Sequence, residues 1–168
     1  MELGVTDRVR FVHSDAAMYQ AEPGGHDIVS CLGATWIGGG LAGSLDLMRP
    51  ALREGGLLLV GEPYWTGEPP EAAYEALGLR RGDFTTLVGT LDRFTAAGAE
   101  LLEMVLADGD SWDRYVASQW WTISHWLDAH PDDPDAAAMR GFLDRTRRSY
   151  LEFNRDYLGW GVFVLRLR

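Results

Sequence analysis

The chain has 168 residues, 46% of them hydrophobic and 24% charged, the proportions of one globular domain with a real core. A net charge of −10 opposes binding to a nucleic-acid backbone, which relies on clustered Lys and Arg. The lone Cys31 excludes a disulfide framework and a cysteine-rich zinc site; with no apolar run long enough for a membrane span and no apolar core of a signal peptide, a cytoplasmic location is expected.

Residues 2–7 read as the last turn of a helix and the turn after it. Residues 9–12 (VRFV) then read as a short strand followed by the polar turn HSDA. Residues 18–25 read as a loop or a brief helix, stopped by Pro23, Gly24 and Gly25. His26 and Asp27 lead into 28–32 (IVSCL), which reads as a continuous apolar strand buried on both faces. Residues 33–43 are rich in small side chains, and 41–53 have the helical spacing of Leu45, Met48 and Leu52, interrupted at Pro50. After a turn at 54–56, residues 57–61 (LLLVG) read as a strand. Residues 71–77 predict a short helix with a Gly78 stop. A second helix over 84–97 carries Leu87, Leu91 and Phe94 on one face. Residues 100–107 predict a strand between Gly98 and the sequence Asp108-Gly109-Asp110.

Residues 111–129 predict an aromatic-rich helix, with Ser111 or Asp110 as its cap. At about 100° per residue, Trp112, Tyr115, Val116, Trp120, Ile123, Trp126 and Leu127 share its core face, and Trp121 falls opposite. An Arg-rich helix is expected over 132–156 and a final strand over 160–167. Short apolar runs alternating with helices predict an α/β fold with a covered, mostly parallel sheet, which binds ligands at the carboxyl ends of its strands. Those ends read HSDA, LGATW and GEPYW.

This order of elements resembles the second half of a class I S-adenosylmethionine-dependent methyltransferase. Ser14-Asp15-Ala16 is similar to the acidic position after the family's third strand, and residues 28–33 to its fourth strand. The segment LMRPALREGGLLLV resembles the family's helix, "LxPGG" turn and fifth strand, with Arg53-Glu54 standing where Lys-Pro is usual. The phrases GATWIGGG, GEPYW, DxWDRY and DYLGWGVF point to one uncharacterised bacterial branch. The resemblance implies an incomplete Rossmann-like methyltransferase sheet, mostly parallel with an antiparallel last strand. It also implies a helical, lid-like insertion at about 108–159, the whole of 1–168 being the C-terminal portion of a single methyltransferase domain. The family's Gly-rich loop and its ribose-binding acid are not found here. The expectation is therefore that the chain is cut from a longer protein, that Met1 is internal, and that the strand at 9–12 lacks its sheet neighbour.

By the same resemblance, Asp15 and Ala16 would hold the adenine of S-adenosylmethionine, and Gly33 and Ala34 its methionine part. Glu62 is the candidate catalytic base, or the group that orients a nucleophile; a structural ion pair is the competing role. Trp36, Tyr64, Trp65, Trp121 and Tyr157 are the candidate substrate-binding aromatics, and core packing is the alternative for each. No metal-ligand spacing stands out among the four His residues. Gly38, Gly40 and Gly43 satisfy G-x-G-x-x-G with Glu62 nineteen residues on, but residues 33–37 separate the first Gly from its strand, so a flexible loop reads better than a dinucleotide fingerprint.

The resulting expectation is methyl transfer from S-adenosylmethionine to a small-molecule acceptor, without nucleic-acid or membrane partners, and with self-association through an open sheet edge. The alternatives are a truncated, non-catalytic binding or interaction module and, behind it, an NAD(P)-dependent oxidoreductase.

Overall fold

The computed structural model describes residues 4, 5 and 7–168. The expected helix end at 2–7 falls largely on residues outside these. The sheet contains β1 (His26–Leu32), β2 (Leu52–Trp65), β3 (Ala99–Leu106) and β4 (Leu158–Leu167), in the order β1-β2-β4-β3. β1 runs parallel to β2, and β4 runs antiparallel to both β2 and β3. Three strands therefore share one direction and the last opposes them, as the resemblance implied.

One face of the sheet makes the core. Leu58 and Val60 of β2 and Phe163 and Leu165 of β4 point to it and are fully buried. Two helices cover them: α1 (Leu41–Met48), through Leu41, Leu45 and Met48, and α3 (Leu87–Ala96), through Phe94. The Phe94 and Phe163 rings meet edge to face at 5.3 Å. The short α2 (Glu71–Leu77) lies between β2 and α3 in sequence and ends at Gly78, whose φ of +65° closes the helix as expected. The helix expected over 41–53 stops at Met48, and a 3-10 turn over Arg49–Ala51 carries Pro50 instead.

Between β3 and β4 stand α4 (Gly109–Ala129), α5 (Ala136–Ser149), a π-helical turn over Tyr150–Asn154 and a final turn, α6 (Arg155–Tyr157). α4 is capped by Asp108, whose Oδ1 accepts from the Ser111 N–H at 2.7 Å, rather than by Ser111 or Asp110. α4 and α5 pack through a small cluster of their own built on Leu127, Ala136 and Leu143.

Residues 9–12 are not a strand. Among the described residues, the backbone hydrogen bonds before Gly24 are local, and the first to reach the rest of the chain runs from the Gly24 N–H to the Pro50 carbonyl. Phe11 is 93% exposed. An isolated strand leaves its backbone groups unpaired, so the apolar composition of 9–12 has no sheet to join. β1 is consequently an edge among the described residues, and it is not buried on both faces as its composition predicted: Ile28 and Leu32 are exposed on the face away from α1 and α3.

Candidate functional site

The parallel pairing of β1 with β2 sets Leu32 beside Gly61 and so brings the two strand ends together. Gly33 follows β1 with φ +73°, a left-handed turn that favours glycine, and its N–H donates to the Gly61 carbonyl at 3.0 Å. The Trp160 ring lies across both glycines: a Cβ on Gly33 would stand 3.0 Å from it, and one on Gly61 only 2.7 Å. Trp160 is stacked on Trp112 at 6.2 Å and Trp112 on Tyr115 at 5.5 Å, each pair within 9° of parallel. A flat aromatic wall thus rises from the strand ends on the face away from α1 and α3.

On the core face the chain continues into a 3-10 turn over Thr35–Gly38. Thr35 is buried, and its hydroxyl donates to Glu62 Oε2 at 2.7 Å. The Thr35 carbonyl accepts from Ser44 Oγ at 2.6 Å, and that hydroxyl accepts from the Gly38 N–H at 3.2 Å. Gly38 and Gly43 touch backbone to backbone, so a Cβ on Gly43 would stand 2.0 Å from the Gly38 carbonyl oxygen. Close packing of the turn on α1 accounts for these two glycines, and the G-x-G-x-x-G match needs no dinucleotide.

Glu62 is 3% exposed. Burial pushes its carboxyl above the ordinary 4.5, while the Thr35 hydroxyl and the more distant Arg93 charge pull it back in part. Glu62, Thr35 and Trp36 line an open cleft of about 1050 Å³ between the α1 end of the molecule and residues 78–84, with Arg93 and Phe84 on its far wall. Trp36 is 76% exposed at its rim.

The remaining expected residues lie elsewhere. Asp15 sits in an exposed turn, where its Oδ1 accepts from the Ala17 N–H at 2.9 Å, and Ala16 is exposed beside it. Ala34 precedes the 3-10 turn and accepts from the Ile37 N–H at 3.0 Å. Tyr64 and Trp65 are buried: Tyr64 packs beneath Gly159, and Trp65 meets Tyr74 and Phe84 edge to face. Trp121 is 68% exposed, with its ring 4.7 Å from that of His125. Tyr157 holds the end of β2 through its carbonyl, which accepts from the Thr66 N–H at 2.9 Å.

Sequence reasoning missed two groups. Thr35 was passed over inside GATW, although its place just beyond a strand end was a signal. The other is a clasp between α4 and the π-helical turn: Asp113 accepts from the Tyr150 hydroxyl at 2.6 Å and from Arg155 at 3.1 Å. The Tyr150 hydrogen bond, then Arg155, hold the Asp113 carboxyl below its usual value.

No family model matches the chain. It is 46% identical over 169 residues to the uncharacterised protein YjhP of Escherichia coli (strain K12), across 99% of this chain and 68% of that protein. Among solved structures it is similar to a SAM-dependent methyltransferase from Geobacter sulfurreducens in complex with S-adenosyl-L-homocysteine, with TM-score 0.91 and 44% identity over 98% of this chain and 67% of the other. The corresponding enzyme from Thiobacillus denitrificans, in complex with the same ligand, matches with TM-score 0.90 and 44% identity over the same shares. The chain belongs to the class I S-adenosylmethionine-dependent methyltransferases. S-adenosylmethionine is the cofactor of that family.

Proposed function

We propose that the chain acts in methyl transfer from S-adenosylmethionine to a small-molecule acceptor. The observation that carries this reading is the 44% identity, over nearly the whole chain, to a methyltransferase holding the reaction product of that cofactor. When bound, the cofactor supplies a methyl group already activated on a positively charged sulfur.

The residues present fit such a group. The left-handed turn at Gly33, closed in by the Trp160 ring, gives a narrow strand end at which the backbone can approach a ligand closely. Gly33 and Ala34 would hold the methionine part. Asp15 and Ala16 would serve the adenine, Asp15 Oδ2 being the oxygen not used by its own turn. Glu62 would take a proton from the acceptor or orient it, and Trp36 would flank the entry. Tyr64 and Trp65 would back the wall from within the core. Trp121 and Tyr157 belong to the helical insertion, which would close over the acceptor and exclude water. The acidic balance of −10 favours a small molecule over nucleic acid.

Calorimetry of the chain with S-adenosylhomocysteine tests the reading. Saturable one-to-one binding is expected, and no heat at any concentration would sink it. The open edge of β1 favours a second reading, a non-catalytic module that pairs with another strand; that same absence of heat would support it.

A further inference from the structure

The cleft has a charged group on its floor with hydrogen-bonding capacity to spare. Among the described residues, Thr35 alone donates to Glu62, and Glu62 forms no ion pair within 4 Å. Arg93 is the nearby cation on α3, but its Nη1 and Nη2 donate to the carbonyls of Asp83 at 3.1 Å and Gly82 at 2.6 Å. Asp83 is occupied with the Arg80 N–H at 2.8 Å. Asp46 of α1 and Arg80 line the cleft with exposed side chains. Cys31 stands beside Glu62 on β1, its thiol pushed up by burial and, less, by the Glu62 charge. A buried carboxylate with spare lone pairs is costly, and a donor arriving through the cleft relieves that cost. Between these polar groups the lining is apolar, with Leu41, Leu79, Phe84 and the open ring of Trp36. This combination accepts a cationic N–H group with an apolar body, the charge at Glu62 and the body against the aromatic rings.

We propose that the cleft binds an organic ammonium ion through Glu62 and, resting on the methyl-transfer reading above, that the corresponding amine is the methyl acceptor: an ammonium N–H bond breaks with its proton passing to the Glu62 carboxylate, the freed nitrogen lone pair forms the new N–C bond, and the sulfonium S–CH3 bond breaks to leave the neutral thioether. Benzylammonium, benzyl alcohol and benzoate share a body and differ in charge, which makes them suitable probes. Titrated into the whole chain by calorimetry, benzylammonium binds, while the alcohol and the acid do not. Glu62→Gln keeps an acceptor for the Thr35 hydroxyl and weakens benzylammonium binding by about tenfold or more. Trp36→Ala, at an exposed rim position that folding does not need, weakens it severalfold and stands in if the Glu62 variant fails to fold. Near the ordinary carboxyl value of 4.5, the binding heat also varies with the buffer's ionisation enthalpy, because the ligand drives a proton off Glu62.

Benzoate or benzyl alcohol binding as tightly as the amine would overturn the proposal. So would benzylammonium affinity unchanged in both variants, or no benzylammonium binding at all. The acceptor clause is tested separately by S-adenosylhomocysteine: amine binding without it leaves an ammonium site and removes the methyl acceptor.

Discussion

At Glu62 the sequence places a carboxylate that the fold leaves almost wholly buried at the floor of the cleft, and among the described residues the Thr35 hydroxyl is its hydrogen-bond donor. Burial raises the folded pKa above the unfolded value near 4.5, so the fold binds that proton more tightly than the unfolded chain does. The stability this contributes is full below 4.5 and is lost as pH rises through the raised value. Comparing urea midpoints of the native chain and Glu62→Gln should show the difference turning against the native chain across that window and flat beyond it. Asp108, Asp113 and Glu100, all held low, act in the opposite sense at lower pH and cancel in the comparison. A difference that stays flat throughout would mean Glu62 titrates ordinarily in the fold. Thr35→Val strips the carboxylate of its donor and should cost about 1–3 kcal/mol. At Gly43 the constraint is steric: an added methyl meets the Gly38 carbonyl oxygen at 2.0 Å. Gly43→Ala should therefore lower stability by about 1–3 kcal/mol despite the better helix propensity of alanine, and a variant that melts higher would refute the contact.

At the scale of elements, a side-chain clasp ties the two ends of the insertion to each other. Tyr150 donates to Asp113, which Arg155 also engages, joining the first turns of α4 to the π-helical turn. Tyr150→Phe keeps the ring and removes the hydroxyl. Amide exchange in the first half of α4 should quicken while β2 and β4 keep their protection, and unchanged exchange in α4 would show the clasp to be dispensable. Most of these elements could be read from local signals. Pro50 cut the first helix, Gly78 closed the second, and Trp121 left the apolar face of α4, as periodicity required. The cap of α4 was misplaced by a few residues because Asp108, Asp110 and Ser111 are all capable acceptors, and only backbone geometry chooses among them. Thr35 and Glu62 lie 27 residues apart, and Asp113 and Tyr150 lie 37 apart. Such pairs follow from strand register and helix packing, which local composition does not encode.

At the scale of the whole molecule, strand character depended on a neighbour being present. Residues 9–12 have the composition of a strand, yet β1, to which family topology would link them through further strands, ends the sheet. The outer row of β1 backbone groups has no partner among the described residues, and Ile28 and Leu32 stand exposed beside it. Edges of this kind pair with other strands unless a charge or a bulge blunts them; no charged residue lies between Ile28 and Leu32, and the register irregularity of the β1–β2 pair falls before them, between His26 and Ile28. A second copy of the chain brings an identical edge, and two such edges can meet across a two-fold axis. Sedimentation velocity over a rising concentration series should then show a growing dimer fraction. Ser30→Lys puts a charge between the two exposed aliphatics on the face away from α1 and α3. It should hold the chain monomeric without lowering its melting temperature, since the Ser30 side chain is exposed. A native chain that stays monomeric across the series would exclude self-pairing, and dimers that persist in Ser30→Lys would place the contact elsewhere.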